Sequence, residues 1–252
     1  MSPSSAHRHY SQCASTNDIA RAWALDTADP APHGALVSAD FQTRGRGRRG
    51  RQWQAKGGES ALMSVVLRPA LARSEAWQLA FIAALAVSDA LGAYVTPVNL
   101  KWPNDILIQG NKAGGVLVET VGSTGRGWAA IVGIGVNVSQ TRFDNSPSFQ
   151  VPPISLRMAV GQTPPVAALI QEIAFALEQR LAQRTEEGWE TTRADWRARM
   201  ALNIAFQRGQ EQGIFEELEP DGQARVRLPG GTIARWATVD PEDTANSAPN
   251  RV

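Results

Sequence analysis

A chain of 252 residues with 43% hydrophobic content is long enough to bury a proper core, as one large domain or as one plus a small appendage. Its formal net charge is +1, so no general basic face exists for a polyanion to track, which counts against a dedicated nucleic-acid binder. The single cysteine, Cys13, excludes an internal disulfide framework and suits a reducing cytoplasm. No stretch approaches the ~18 apolar residues of a membrane span, and the N-terminal residues lack the apolar run of a signal peptide.

In chain order, strands and helices alternate. Ser15-Thr16-Asn17-Asp18 carries N-cap side chains and opens the apolar-periodic run Ile19 to Leu25, which predicts a helix start. Gly34 to Phe41 and Ala61 to Leu67 read as strands on either side of an Arg/Gly loop. Ser74 to Leu91 reads as a long core helix stopping at Gly92. A strand-rich centre follows: Val98 to Trp102, Asp105 to Ile108, a Gly110-Asn111 turn, Gly115 to Val121, and Trp128 to Val138. Pro164-Pro165 introduces a helix from Val166 to about Gln183, and Trp189 to Met200 makes another. From Asn203 to Val239 short alternating runs broken by Asp221-Gly222 and Pro229-Gly230-Gly231 read as a small antiparallel barrel or sheet. The domains expected are 1–200, 201–240 and a polar, disordered tail 241–252.

Residues 44–51 contain only arginine and glycine, five of the first and three of the second. Five guanidiniums cannot be buried unpaired, and three glycines make regular structure costly, so this segment reads as a mobile basic lid or arm. Guanidinium is permanently charged and forks its donors to match phosphate oxygens, so a nucleotide, a nucleic acid or another anion is the expected ligand; a merely solvated charge run is the alternative. Lysine is scarce: against 22 arginines stand Lys56, Lys101 and Lys112. A lysine that persists in such a background points to a place where a compact ammonium is required, against chance survival, the reading given to Lys56; two of the three fall in one short region.

Ser15-Thr16-Asn17, the Gln42 to Arg51 loop ending near Trp53, Lys101-Trp102-Pro103-Asn104-Asp105, Lys112-Ala113-Gly114-Gly115 running to Glu119, and Gly133-Ile134-Gly135-Val136-Asn137 stand in the order found in biotin protein ligases. The chain resembles that family from about Tyr10 to Val239. Arg44 departs from the small residue usual before the first lid glycine, and the proline often seen after Trp53 is absent. The resemblance implies a class II synthetase-like α/β catalytic domain, a mixed sheet flanked by helices, plus a small C-terminal β-barrel. It also implies a form that starts about where the catalytic domain starts, without the DNA-binding domain some members carry.

The implied reaction is activation of biotin by ATP and Mg²⁺ to biotinyl-5′-adenylate, then transfer to a lysine of a biotin carboxyl carrier protein. Lys101 resembles the lysine that contacts the activated carboxyl and phosphate, with an edge-strand surface lysine as the plain alternative. Arg46, Gly47 and Arg48 match lid residues that fold over the adenylate, and Arg48 is the candidate that retains it. Ser15, Thr16, Asn17 and Gln42 match the groups that hold the ureido ring, with helix capping a rival role for Ser15. Asp105 is a candidate Mg²⁺ ligand or proton acceptor and Lys112 a phosphate contact, against a cross-hairpin salt bridge. Gly114 and Gly115 would let backbone approach a ligand. Trp102 and Trp128 read as pocket wall or core, and Cys13 as inert. No metal-ligand set, specific nucleic acid or membrane is expected, and a second copy of the chain is a candidate partner. A lipoate or octanoyl transferase of the same fold, and an RNA-binding protein using the Arg/Gly arm, are the competing readings.

Overall fold

The computed structural model describes residues 6–48, 50–123, 127–143, 151–201, 205–208 and 211–237. Arg49, the anticipated tail and parts of the anticipated domain junction lie outside them. A seven-stranded sheet has the order β1-β2-β3-β7-β6-β5-β4, with β1 at His7–Cys13, β2 at Ala35–Gln42, β3 at Ser60–Leu67, β4 at Val98–Lys101, β5 at Asp105–Ile108, β6 at Asn111–Ser123 and β7 at Gly127–Asn137. β1 and β2 are parallel; every other pairing in this sheet is antiparallel.

Strand β1 and a short helix α3 (Leu156–Val160) have no counterpart in the sequence reading. The apolar alternation that marks a strand is missing from HRHYSQC because this edge strand exposes or half-exposes every residue. The β5–β6 turn falls one residue earlier than expected, at Gln109-Gly110. Both have positive φ, 52° and 75°, the conformation of a two-residue hairpin turn whose twist matches its strands.

Side-chain alternation assigns the two faces of the sheet. Along β7 the even residues Ala130, Val132, Ile134 and Val136 enter the main core, while Ile131 meets the opposite cluster under helix α1 (Thr16–Leu25). β3 divides likewise, with Met63, Val65 and Leu67 in the main core and Val66 under α1. The main core is closed by α2 (Gln78–Gly92), α4 (Val166–Glu187) and α5 (Trp189–Ala198). α2 is preceded by a separate 3₁₀ turn at Arg73–Glu75, so the expected helix starts late. Its residues are buried on nearly all sides because sheet and helices both cover it. Asp89 of α2 takes Arg180 of α4 through both carboxylate oxygens, at 2.6 and 3.0 Å, and Arg199 at 2.6 Å. Arg180 also bonds Asp195 of α5. Burial raises the Asp89 carboxyl, but these arginines outweigh it and hold the group below its ordinary range.

The C-terminal strands β8 (Ala205–Arg208), β9 (Glu211–Leu218), β10 (Ala224–Arg227) and β11 (Ile233–Trp236) form an antiparallel sheet in the order β11-β10-β9-β8. It is joined to the first domain by rings. Phe81 meets Trp196 at 5.4 Å, Trp196 meets Phe215 at 6.2 Å, Phe215 meets Phe206 at 5.3 Å and Phe206 meets Trp102 at 6.1 Å. Each such pair is worth ~0.5–1.5 kcal/mol beyond its buried area, so the small sheet is fastened to the large domain along a continuous line. Among the described residues no helix is long and apolar enough to cross a membrane.

Candidate active site

The odd residues of β7, Gly133, Gly135 and Asn137, share a face of the sheet with Leu62 of β3 and with Gly115 and Leu117 of β6. These six lie on a cavity of about 440 Å³. The Gly-Ile-Gly-Val-Asn run is therefore two interleaved patterns, core on one side and cavity floor on the other. Each floor glycine is occupied from above. A Cβ on Gly133 would lie 2.3 Å from Asn17 Oδ1, and one on Gly135 would lie 2.7 Å from the Trp53 ring.

At one end of the cavity a chain of polar groups is fixed. Gln42 Oε1 accepts from the Thr16 amide at 2.7 Å and from its hydroxyl at 3.1 Å. Ser64 Oγ lies 2.7 Å from Thr16 Oγ1 and 2.6 Å from Asn17 Oδ1, and Asn17 Nδ2 donates to Glu119 at 2.6 Å. Ser15 occupies the N-cap of α1 in extended conformation yet makes no side-chain cap bond; it lines the cavity instead.

At the other end stand the two lysines. Lys101 is 8% exposed, 3.9 Å from Asp105 and 4.8 Å from the centre of the Phe206 ring. Lys112 donates to the other Asp105 oxygen at 2.5 Å. Burial lowers the Lys101 ammonium below its ordinary value; Asp105 opposes this, and Lys112 and Arg51 add to it. The cross-hairpin salt bridge weighed as the alternative exists, but Asp105 faces two ammoniums within one cavity. Asn104 and Val116 exchange hydrogen bonds, 2.5 Å from the amide Nδ2 and 3.0 Å to the backbone carbonyl, which pins the Trp-Pro-Asn-Asp turn to β6.

The Arg/Gly loop folds back over the cavity as a small hairpin. Gly47 N donates to Arg51 O at 2.7 Å, Trp53 N to Gly45 O at 3.0 Å, and Arg46 bridges Gln52. Arg46 reaches Asp18 at 2.5 Å and Glu119 at 3.2 Å. Arg46, Gly47, Arg48 and Arg51 line the cavity.

Of the residues singled out in the sequence, Ser15, Thr16, Asn17, Gln42, Arg46, Gly47, Arg48, Lys101, Asp105, Lys112 and Gly115 come together around this one cavity. Gly114 is not among its lining; a Cβ there would lie 3.0 Å from the Gly135 carbonyl, so this glycine serves close strand packing between β6 and β7. Trp102 lines the cavity and Trp128 packs against the main core. Sequence reasoning missed Ser64, Trp53 as a wall, and Phe206 and Trp236, by which the C-terminal sheet reaches the site.

The fold and the residues around the cavity have counterparts among known proteins. Residues 10–137 match the Biotin/lipoate A/B protein ligase family, and the chain belongs to that family. It is 37% identical over 175 residues to the bifunctional ligase/repressor BirA of Bacillus spizizenii, covering 69% of this chain and 54% of that protein, so the chain spans about half the length of that relative. It is 36% identical over 223 residues to the biotin–[acetyl-CoA-carboxylase] ligase of Paracoccus denitrificans, covering 85% of this chain and 92% of that one. The structure of the biotin protein ligase from Aquifex aeolicus in complex with biotin and ATP superposes with a TM-score of 0.74 at 25% identity, over 91% of this chain and 94% of that one.

Proposed function

We propose that this chain is a biotin–protein ligase that forms biotinyl-5′-adenylate from biotin and ATP and passes the biotinyl group to a lysine of a carboxyl carrier protein in the cytoplasm. The observation that carries the reading is the polarity of the cavity: a neutral donor and acceptor chain at one end, and two lysines sharing one carboxylate at the other, under an arginine lid. The neutral end suits an uncharged ring with both N–H and C=O groups, here the ureido ring, held by Ser15, Thr16, Asn17 and Gln42, with Ser64 ordering Thr16 and Asn17 from behind. The far end suits the meeting of two anions.

In the first step the biotin carboxylate attacks the α-phosphorus and pyrophosphate leaves. Such a transfer asks for positioning and for fixed positive charge more than for covalent help. Lys101 supplies that charge from a desolvated position, where it is worth more than in water. Asp105 orients both ammoniums and accepts a proton from the incoming amine in the second step. Arg48 and Arg51 cover the phosphate, and the closed hairpin excludes water from the acyl phosphate. Asp105 is the one carboxylate among the described lining residues, and they contain no cluster of three metal-ligating side chains, so Mg²⁺ would be held chiefly by the phosphates it neutralises.

The test is incubation with ATP and either biotin or lipoate, following pyrophosphate release and the adenylate by mass spectrometry. Biotinyl-adenylate and subsequent biotinylation of a carrier domain are expected. Lipoyl-adenylate in place of the biotinyl product would reverse the assignment within the family.

A further inference from the structure

Arg46 of the lid has two carboxylate partners. Asp18 holds it at 2.5 Å from α1, and Glu119 of β6 holds it at 3.2 and 3.4 Å. Facing two carboxylates, this guanidinium has little charge left for a phosphate. The same Glu119 oxygen that takes Arg46 at 3.2 Å accepts from Asn17 Nδ2 at 2.6 Å. An ionised carboxylate only accepts, so it compels Asn17 to turn its amide nitrogen toward β6 and leaves Oδ1 to the Ser64 hydroxyl at 2.6 Å. Asn17 in that orientation fills the hollow over Gly133.

We propose that Glu119 is a positioning residue that latches the lid to the ring-binding end of the cavity, one carboxylate ordering both the Asn17 amide and the Arg46 guanidinium. The functional half of this inference rests on the biotin reading; the latch itself does not. A ligand that engages Asn17 stiffens Glu119 and favours the docked hairpin, and by reciprocity a docked hairpin tightens the ligand. Arg46 thereby acts as a fastener of the loop.

The experiment is hydrogen exchange by mass spectrometry on the ligand-free full chain, followed by calorimetric titration with biotin. Glu119→Gln keeps the size of the side chain but removes its charge and its acceptor-only character. Peptides spanning residues 45–53 are expected to exchange faster by roughly tenfold or more, as for loss of a charge-assisted hydrogen bond, while those of β7 stay unchanged. Arg46→Gln, on the partly exposed lid where folding is not at stake, also gives up Asp18 and should give at least as large an increase, and the double variant no more than Arg46→Gln alone. Biotin should bind both single variants at least roughly fivefold more weakly. Wild-type lid exchange in both variants, or increases that simply multiply, would overturn the latch. Faster lid exchange with unaltered biotin affinity would overturn the coupling. Absence of biotin uptake by the wild type would strike the proposed function, and the exchange data would still decide the latch.

Discussion

The indole nitrogen of Trp102 donates to the carbonyl of Gly222 at 3.1 Å, joining the Lys-Trp-Pro-Asn-Asp turn to a β-turn 120 residues further along the chain. Two other tryptophans grip that β-turn: Trp189 donates to Pro220 O at 2.7 Å, and a Cβ on Gly222 would lie 2.4 Å from the Trp77 ring. The C-terminal sheet is thus held where Phe206 can face Lys101. Trp102→Phe keeps the ring but removes the donor, and should cost ~0.5–1.5 kcal/mol, or more if the Gly222 carbonyl stays dry. Gly222→Ala should be worse, because φ there is +81° and the Trp77 ring stands in the way. Thermal melts would show whether the order holds; an unchanged Gly222→Ala would mean the contact is not structural.

Lys101 carries a cost that the proposed function explains. A buried ammonium whose charged form burial disfavours subtracts from stability at neutral pH, and this penalty is relieved as pH rises through its lowered folded value. Lys101→Met leaves Asp105 paired with Lys112, so the variant should melt no lower than wild type. Adenylate formation should nevertheless fall on the order of 100-fold or more. Near-normal pyrophosphate release from Lys101→Met at saturating substrates would remove this residue from the mechanism.

Gly135→Ala tests the floor. Its new methyl group would lie 2.7 and 2.9 Å from Trp53 ring atoms, which obliges the indole to move into the space above the sheet. Overpacking of this kind costs ~1–3 kcal/mol, so biotin affinity should drop roughly fivefold to hundredfold while the strand pairing of β3, β7 and β6 persists. Equal affinity for the two proteins in a titration would show that Trp53 is not a wall of the ligand site.

The Asp89 cluster predicts how the protein responds to acid. Its carboxyl is lowered in the folded chain, so it contributes stability that is present above the ordinary value of 3.8 and is lost as pH falls through the lower folded value. Asp89→Asn should cost ~1.5–3 kcal/mol at pH 7, and the gap between the two melting temperatures should close below about pH 3.8. A gap that is constant with pH would mean that shape, not charge, ties α2 to α4.

The lid should not act as a nucleic-acid arm. With Arg46 committed to Asp18 and Glu119 and a net charge of only +1 on the whole chain, generic DNA or RNA at ~0.15 M salt should bind no tighter than the ~10⁻⁴ to 10⁻⁶ M of non-specific contacts. A salt-resistant nanomolar complex in an anisotropy assay would revive that reading.

How far the site could be read from sequence differs by residue. The strands β2 and β3, the core helix α2 and the glycine alternation of β7 were legible because their patterns are local: apolar period, caps and turn residues lie within a few positions. Glu119 could be placed in its motif but not assigned a partner, since Asn17 lies 102 residues away. The five loop arginines look alike in sequence, and the carboxylate partners of Arg46 come from α1 and β6. Phe206 and Trp236 reach the cavity only through the ring line that docks the small sheet. β1 escaped notice because an exposed parallel edge strand shows no amphipathic period.

The parallel pairing of β1 with β2 sets Cys13 beside Gln42, so two segments nearly thirty residues apart leave the sheet at the same rim. One becomes the polar end of the cavity, the other the hairpin that covers it. Their separation is governed by the register of two adjacent strands, and the crossover that makes such pairing attainable is carried by α1 and the loop after it. Residues 26–34 at the opposite rim are therefore a place where evolution or an engineer can lengthen the chain without altering the aperture. An added loop there would travel with the back of the domain, whereas a single-residue slip between β1 and β2 would move the two jaws of the site past one another by one strand step, about 3.3 Å.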